Sequence, residues 1–276
     1  MPWVGNLQLD YRFDGTRSVV RDRHDGPLRV LASLYPEAPA ICHNVLVHPP
    51  GGLVGGDELD IAVTLGPDAH TLITTPGATR FYRSTGTTAT QRLHATLAEG
   101  ARLEWLPLET LAYSGCIAEN RMRFELAPGA EMMGWDLLAL GLPASDQAFV
   151  RGRFTQCIEL PGRWLERGVV DAGDTRLLDS PLGWAGHRVM GTLWFAAGRA
   201  LPTPQRDQLL DAARAIVDDD ALRATAGVTA VHDSVVVLRA LAGRVEPLMS
   251  LLTRVWGAWR GVAWQMSANT PRVWRT

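Results

Sequence analysis

Apolar and polar residues alternate with a period of two over much of the first 160 residues, a pattern typical of β-strands with one buried face. The clearest stretch is Glu58–Leu65, in which Leu59 and every second residue after it is apolar. Leu7–Phe13 alternates in the same way, and Asp14-Gly15 predicts a hairpin turn into a second strand at residues 16–21. Further strands are predicted at residues 28–34 and 41–47. The pattern therefore predicts a mainly β fold.

Three segments of this strand-rich region share an order of residues: a leucine, a turn that ends in alanine, and an apolar strand. They begin at Leu65, Leu97 and Leu126. A turn-plus-strand unit that recurs at a nearly fixed period indicates stacked coils, as in a β-helix or a layered sandwich. The alternative is a coincidence of common turn residues, because the period is loose.

The pattern changes to a helical period after residue 200. Thr203-Pro204 is typical of a helix start, and apolar residues then recur at helical spacing as far as Val217. A strand is predicted at Val228–Leu238, followed by a helix from Pro247 with Leu248 on its apolar face. We therefore expect a β-helix-like body over residues 1–200 and a smaller α/β part over residues 201–276. No flexible linker separates them, so the second part is expected to pack on the first.

The most unusual local sequence is a turn in which two prolines and four glycines interrupt the strands. Prolines fix φ and glycines permit positive φ or close backbone approach, so the chain must turn sharply here. The acidic pair Asp57 and Glu58 follows at once, at the start of the predicted strand. These residues are either part of a functional edge or solvated acids beside a tight turn. The turn consists of His48, Pro49, Pro50, Gly51, Gly52, Leu53, Val54, Gly55 and Gly56.

Composition narrows the possible functions. The formal net charge of −2 gives no basic surface for nucleic acid. All basic residues are arginine, so a phosphate-binding loop that needs lysine is absent. The sequence contains no secretory signal and no apolar run long enough for a membrane span. Its three cysteines are widely spaced, as expected of reduced thiols, so we expect a cytoplasmic protein.

Catalytic and tight metal-binding patterns are missing. The chain has no serine-hydrolase elbow and no HExxH sequence. Cys42, His43 and His48 are possible metal ligands, but neighbouring strand residues point to opposite faces, which makes a shared site with Asp57 strained. Acids such as Glu104 stand among apolar neighbours and require partners or water. A solvent-facing position is the simpler interpretation for each of them.

Five motifs, in order, give the chain a resemblance to a known family. HPPGGLVGGDEL begins at His48, TTPGATRFYRS contains Arg80, Tyr82, Arg83 and Ser84, LEWLPLET contains Glu104 and Trp105, WDLLALG contains Asp136, and PRVWRT ends the chain. Together they resemble the urease accessory protein family UreD, also called UreH. Two departures are Arg80 where lysine is usual and Leu108 where glutamine is usual.

The resemblance implies a role in urease maturation without catalysis. The expected partners are apo-urease, a helical accessory protein and a GTPase accessory protein. The resemblance also implies an extended β-helix-like fold, no tightly bound cofactor, and transient passage of Ni²⁺ through the β body. Weak ligands suit this role, because imidazole and thiolate would hold nickel tightly. The acids that match the passage lining are Asp57, Glu58, Asp136 and Glu166, and Arg80, Arg83 and Arg167 are their candidate ion-pair partners.

The C-terminal third is rich in tryptophan. We expect Trp256, Trp259 and Trp264 to exceed what two short helices need for packing, and to provide a partner-binding surface. An ordinary core is the alternative. Two other function classes remain open: a metal-dependent hydrolase built from His43, His48 and Asp57, and a β interaction scaffold with no role in metal transfer.

Overall fold

A computed structural model describes residues 3–37 and 40–275 of the chain. The fold consists mainly of strands, as the alternating pattern predicts. In chain order the strands are β1 (Val4–Phe13), β2 (Ser18–Asp25), β3 (Arg29–Leu34), β4 (Ile41–Val47), β5 (Glu58–Leu65), β6 (His70–Thr74), β7 (Thr79–Phe81), β8 (Ala89–Leu97), β9 (Arg102–Trp105), β10 (Thr110–Ala112), β11 (Ile117–Leu126), β12 (Glu131–Leu140), β13 (Arg153–Leu160), β14 (Trp164–Asp171), β15 (Val189–Ala197), β16 (Ala226–His232) and β17 (Val235–Ala242). The helices are α1 (Thr175–Asp179), α2 (Thr203–Asp218) and α3 (Val245–Trp264), with 3₁₀ turns at Pro143–Ser145 and Arg272–Arg275.

The strands form two sheets. Sheet A has the order β14-β13-β11-β8-β5-β1-β2, and sheet B has the order β16-β17-β15-β12-β9-β6-β4-β3, with β7 and β10 attached beside β12. Between β4 and β13 the chain passes back and forth between the sheets and advances by one strand each time. The successive strands therefore pair in parallel within each sheet. This arrangement confirms the expected mainly β, β-helix-like stack with a smaller helical part.

The sequence repeat corresponds to one corner of the coil. Leu65, Leu97 and Leu126 end three neighbouring strands of sheet A and are in register with one another. The amide of Ala98 donates to the carbonyl of Leu65, and the amide of Ala127 donates to that of Leu97, both at 2.9 Å. Each corner thus forms the same contact with the coil before it, so the repeat reflects the fold and not a coincidence.

The helical period after residue 200 correctly predicts α2 and α3, but the strand predicted at Val228–Leu238 is wrong. This segment contains parts of two strands, β16 and β17, which are joined by a turn at Asp233 and Ser234. Apolar residues continue on both sides of the turn, so periodicity alone does not reveal it. β17 pairs with β15, so sheet B continues across residue 200. The division into residues 1–200 and 201–276 stays a prediction.

Two apolar cores occupy the two sides of sheet B. One lies between the sheets, and the other lies between the outward face of sheet B and helices α2 and α3. Trp135 from β12 and Trp256 from α3 meet in the second core at 6.4 Å between ring centroids. Helix α3 therefore covers a face of sheet B that would otherwise be exposed. Among the described residues, no helix has the length and apolar character needed to span a bilayer.

Candidate functional site: a buried polar row between the sheets

A row of polar side chains crosses the space between the sheets. On sheet A, Gln91, Asn120 and Gln156 lie in register on three adjacent strands, β8, β11 and β13. Their neighbours two positions away, such as Ala118 and Met122, are buried, so the strand alternation turns all three amides inward. The Nε2 atom of Gln91 donates to Oδ1 of Asn120 at 3.3 Å. The interior is otherwise apolar, but these three neighbouring positions on adjacent strands are polar.

Sheet B faces this row with three polar side chains of its own. Asp136 on β12, Thr192 on β15 and Arg239 on β17 are in register with one another. Nδ2 of Asn120 donates to Oδ1 of Asp136 at 3.4 Å, which links the two sheets. We call the set Gln91, Asn120, Gln156, Asp136, Thr192 and Arg239, together with Glu166 on β14, the polar row.

Asp136 is buried at the centre of the row, with 7% of its surface exposed. Burial raises the pKa of Asp136 to about 7, and the negative charge of Glu166 adds to the increase, while the amide of Gln156 opposes it. Asp136 therefore exchanges a proton near neutral pH. It is a buried acid, so the interpretation of Asp136 as a solvent-facing strand residue is wrong.

Gln156 is buried, and neither polar atom of its side chain has a hydrogen-bond partner of good geometry among the described residues. Its proximity to Asp136 still lowers the pKa of that acid. Buried amides are almost always hydrogen-bonded to protein or to water. Gln156 therefore has donor and acceptor capacity that the described protein groups do not use.

The far end of the row is closed by an ion pair between the sheets. Glu166 on β14 pairs with the guanidinium of Arg239 on β17. Burial raises the pKa of Glu166, and the charge of Arg239 opposes this increase. Arg167, an expected partner of the acids, is not the partner of Glu166.

A cavity lies at each end of the row. The first, of about 170 Å³, is lined by Gln91, His48, Gly52 and Arg80, and thus by the glycine-rich turn. The second, of about 470 Å³, is lined by Gln156, Glu166, Arg239 and Trp164. The polar row therefore extends from one cavity to the other.

The glycine-rich turn and the RFYRS motif are in contact, although about thirty residues separate them. The amide of Leu53 donates to the carbonyl of Arg80 at 2.7 Å, and the amide of Tyr82 donates back to Leu53 at 2.8 Å. A Cβ on Gly52 would lie 2.4 Å from Cε2 of Tyr82, and one on Gly55 would lie 2.8 Å from the carbonyl oxygen of Thr87. Glycine is therefore required where the two segments approach.

Other members of these motifs complete the turns. The amide of Gly51 donates to the carbonyl of His48 at 2.8 Å across Pro49 and Pro50, and Gly56 has a φ of 95°. The hydroxyl of Ser84 closes the next turn by donating to the carbonyl of Thr87.

Burial lowers the pKa of His48, with Asp57 opposing the shift. Arg83 is exposed at this end of the body and makes no ion pair with the described residues.

Asp57 and Glu58 lie outside the polar row. The carboxylate of Asp57 accepts from the amides of Trp3 and Val54, both at 2.9 Å, and so caps the turn. Glu58 is on the outer face of sheet A, where it pairs with Arg92 at 2.8 Å. Placing these two acids in the passage is therefore wrong, because one satisfies backbone donors and the other faces solvent.

A second buried polar cluster joins α3 to sheet B. Glu104 is wholly buried and contacts His70 at 2.8 Å, Trp256 at 2.6 Å and the guanidinium of Arg260 at 3.2 Å. Arg260 also pairs with Glu37 at 2.8 Å. A solvent-facing position for Glu104 is wrong, because these partners compensate its charge inside the protein.

Two further expectations are wrong. Trp256, Trp259 and Trp264 are buried in the core beneath α3, so they do not form an exposed partner surface. Among the described residues, Arg80 and Arg83 form no ion pair with the four predicted passage acids: Glu58 pairs with Arg92, and Glu166 pairs with Arg239.

The residues proposed for a hydrolase site do not converge. His43 contacts Glu37 at 2.7 Å, and Cys42 points into the core between the sheets. Asp57 caps its turn. Within residues 3–37 and 40–275, no group of three histidine, cysteine or acidic side chains is arranged to hold a metal ion. The geometry therefore gives no support to a tight metal centre.

The family resemblance implies Asp136 and Glu166 as functional residues, but it does not indicate the amides or Arg239. Gln91, Asn120 and Gln156 each occupy a position that the strand alternation assigns to the interior. Amides at inward positions on adjacent coils would have indicated the row once the repeat had fixed the register. Arg239 gives no such signal, because the four residues before it, Val235–Leu238, are all apolar and show no alternation.

Fold and site together define a class of protein: a coiled β scaffold whose distinguishing feature is a buried polar row between two cavities. The sequence matches the family model described as UreD urease accessory protein over residues 4–275. It is 62% identical over 278 residues to the urease accessory protein UreD of Leptothrix cholodnii, covering 100% of both chains. It is also 62% identical over 274 residues to UreD of Paracidovorax citrulli, covering 99% of each. The chain belongs to the UreD urease accessory protein family, and its role is an accessory one in urease maturation.

Proposed function

We propose that this accessory protein passes Ni²⁺ along the polar row during urease maturation. The observation that carries the proposal is a row of polar side chains that extends from one cavity to the other. The row is partly exposed at its ends and buried at its centre, where it consists of Asn120, Asp136, Gln156 and Thr192. An interior of this kind costs free energy unless its polar groups are solvated or bound. The unused hydrogen-bonding capacity of Gln156 supports an aqueous or ion-binding path at the centre of the row.

The oxygen ligands of the polar row are better suited to the transfer of Ni²⁺ than to its tight binding. Asp136 and Glu166 supply carboxylate oxygens, and Gln91, Asn120 and Gln156 supply amide oxygens. Nickel binds imidazole and thiolate more strongly than such oxygen ligands. A row of weak ligands can hold the ion briefly at each position and release it to the next. The protein would thus act as a non-catalytic scaffold that keeps no metal of its own.

The proposed partners follow from family membership and the resemblance described above. They are apo-urease, which receives the ion, a helical accessory protein, and a GTPase accessory protein that supplies it. In this arrangement the chemistry of nucleotide hydrolysis belongs to a partner. The absence of a lysine-containing phosphate loop is compatible with that division. A cytoplasmic location, where these partners would assemble, stays a prediction.

The test is to neutralise both carboxylates of the row with Asp136→Asn plus Glu166→Gln. Two quantities are measured: the nickel content of urease after activation, and assembly of the accessory complex. We expect nickel content to fall severalfold while assembly is retained, because the scaffold keeps its shape and loses only charge. A matched control is Glu58→Gln plus Asp60→Asn, which neutralises two exposed acids that contact Arg92.

The same measurements separate the alternatives. Full nickel loading in the double variant would overturn the proposed passage and favour an interaction scaffold with no role in metal transfer. Loss of both nickel and assembly would show that these acids hold the fold or an interface. Equal losses in the row variant and the control would also contradict a specific role for the row.

A further inference from the structure

The ion pair between Glu166 and Arg239 joins the two sheets at the wall of the larger cavity. Glu166 is on β14, the edge strand of sheet A, and Arg239 is on β17 of sheet B. Both side chains line the cavity of about 470 Å³. Their side chains are 18% and 47% exposed, so the carboxylate is the more enclosed partner. The guanidinium is thus at the boundary between the cavity and solvent.

Arg239 is placed where it opposes the entry or exit of a cation. It contacts Oε2 of Glu166, one of the two carboxylate oxygens that could bind a metal ion. It also lies in the same register row as Asp136, with Thr192 between them. Its positive charge therefore repels an ion at the cavity wall and competes with that ion for a ligand.

We propose that Arg239 is a specificity-determining residue that sets which cations reach Glu166; this inference rests on the proposed function. The guanidinium occupies Oε2 of Glu166, so an ion binds both carboxylate oxygens only by displacing it. Coulomb attraction to the carboxylate scales with the charge of the ion, so a divalent cation competes with Arg239 far better than a monovalent one. The abundant monovalent cations of the cell are thereby kept out of the row.

Displacement of Arg239 does not require the fold to open. Its side chain is about half exposed, and a long, flexible arginine can turn its charged group into water. A partly exposed ion pair also contributes little to stability. The residue can therefore exchange places with a metal ion while β17 stays in the sheet.

The experiment measures Ni²⁺ binding to the purified full-length chain by calorimetry, with and without excess Na⁺. In Arg239→Gln we expect nickel affinity to rise about tenfold, because one repelling charge and one competitor are removed. We also expect Na⁺ to weaken nickel binding more in this variant than in the wild type. The matched control is Arg92→Gln, since Arg92 also pairs with acids and is 44% exposed, but lies on the outer face. The control should bind nickel as the wild type does.

A double-variant comparison assigns the gain to Glu166. Arg239→Gln combined with Glu166→Gln should show no gain over Glu166→Gln alone. The proposal is overturned if Arg239→Gln binds nickel no better than the wild type. It is also overturned if Arg239→Gln raises nickel affinity by the same factor when Glu166 has been replaced by Gln. If Arg239→Gln does not fold, Arg239→Met, which keeps the aliphatic stem, takes its place; failure of both would show a structural role instead.

The experiments distinguish failure of the selective role of Arg239 from failure of the proposed nickel passage. Should Asp136→Asn plus Glu166→Gln still load urease fully, the passage fails whatever Arg239 does. Should that variant lose nickel loading while Arg239→Gln shows no gain, the passage stands and the selective role of Arg239 alone is refuted.

Discussion

At the scale of single residues, Asp136 shows how burial changes the chemistry of a carboxyl group. It is enclosed between two sheets, accepts one hydrogen bond from Asn120, and has Glu166 as a like-charged neighbour. Both burial and the neighbour favour the protonated form. The pKa of about 7 therefore makes the stability of the protein depend on pH.

The sign of this dependence is opposite to that of an ordinary ion-paired acid. An unfolded chain releases the Asp136 proton near pH 4, whereas the folded protein holds it until about pH 7. The free energy of unfolding therefore falls as pH rises between these values. Asp136→Asn removes the ionisation, and we expect it to be more stable than the wild type by roughly 2–4 kcal/mol at pH 8, with a smaller difference at pH 5.

Urea unfolding of both proteins at pH 5 and pH 8 measures this effect. Glu58→Gln is the control, because Glu58 is an exposed acid that pairs with Arg92. Identical pH dependence in wild type and Asp136→Asn would show that Asp136 is ionised in the folded protein throughout this range.

The site could be predicted in part because an acid among apolar residues is visible in a sequence. Asp136 and Glu166 give this signal, but only the family resemblance singles them out as passage residues. Asp57 and Glu58 gave the same signal, yet one caps a turn and the other pairs on the outer face. Which inward residue meets which acid depends on the register between distant strands, and a single sequence does not fix that register.

At the scale of elements, helix α3 is held on sheet B by apolar packing and by one buried ionic cluster. Arg260 is wholly buried between two carboxylates, those of Glu37 and Glu104. Glu104 in turn accepts from the indole of Trp256 on the same helix. Burying these charges costs desolvation free energy, but removing one charged side chain leaves the charges of the others uncompensated in the interior.

Replacement of Arg260 tests this attachment. Arg260→Met leaves two buried carboxylates without their cation, so we expect the free energy of unfolding to fall by about 3–5 kcal/mol. Arg254→Met is the matched control on the same helix, where Arg254 pairs with Asp220 and is 43% exposed. It should cost no more than about 1 kcal/mol. Similar losses for both variants, measured by chemical denaturation, would contradict a special role for the buried cluster.

The elements themselves were largely predictable, for physical reasons that also explain the errors. Strands with one buried face carry a period-two pattern, and the corner repeat at Leu65, Leu97 and Leu126 indicated the coil. The turn between β16 and β17 is hidden because apolar residues continue on both sides of it, and only Asp233 and Ser234 mark it. The tryptophans of α3 are assigned to a binding surface in error, because the sequence does not distinguish a tryptophan buried between a helix and a sheet from one exposed for binding another protein.

At the scale of the whole molecule, the β body and the C-terminal helices share the second of the two apolar cores. The outward face of sheet B, including Trp135 and Phe195, is covered by residues of α2 and α3, among them Leu209 and Trp259. Strand β17 also extends sheet B beyond β15. The apolar surface of this second core is therefore buried only when both parts are present.

We accordingly expect the protein to unfold in one cooperative transition. Far-ultraviolet circular dichroism follows the strands, and tryptophan fluorescence follows the packing of both cores, since Trp194 lies in the first and Trp256 and Trp259 lie in the second. The two denaturation curves should coincide, since loss of either part exposes the shared core. An earlier transition in fluorescence would instead show that residues 201–276 come away as a separate unit.

The coiled construction also governs how far apart the two cavities can be. Gln91, Asn120 and Gln156 are on neighbouring strands, so the row runs across the strands and each coil adds one step of about 4.8 Å. The distance between the cavities is thus counted in whole coils, and it can lengthen or shorten only by gaining or losing one. A point substitution can alter the chemistry of a single step, whereas the span of the row is a property of the number of turns in the stack.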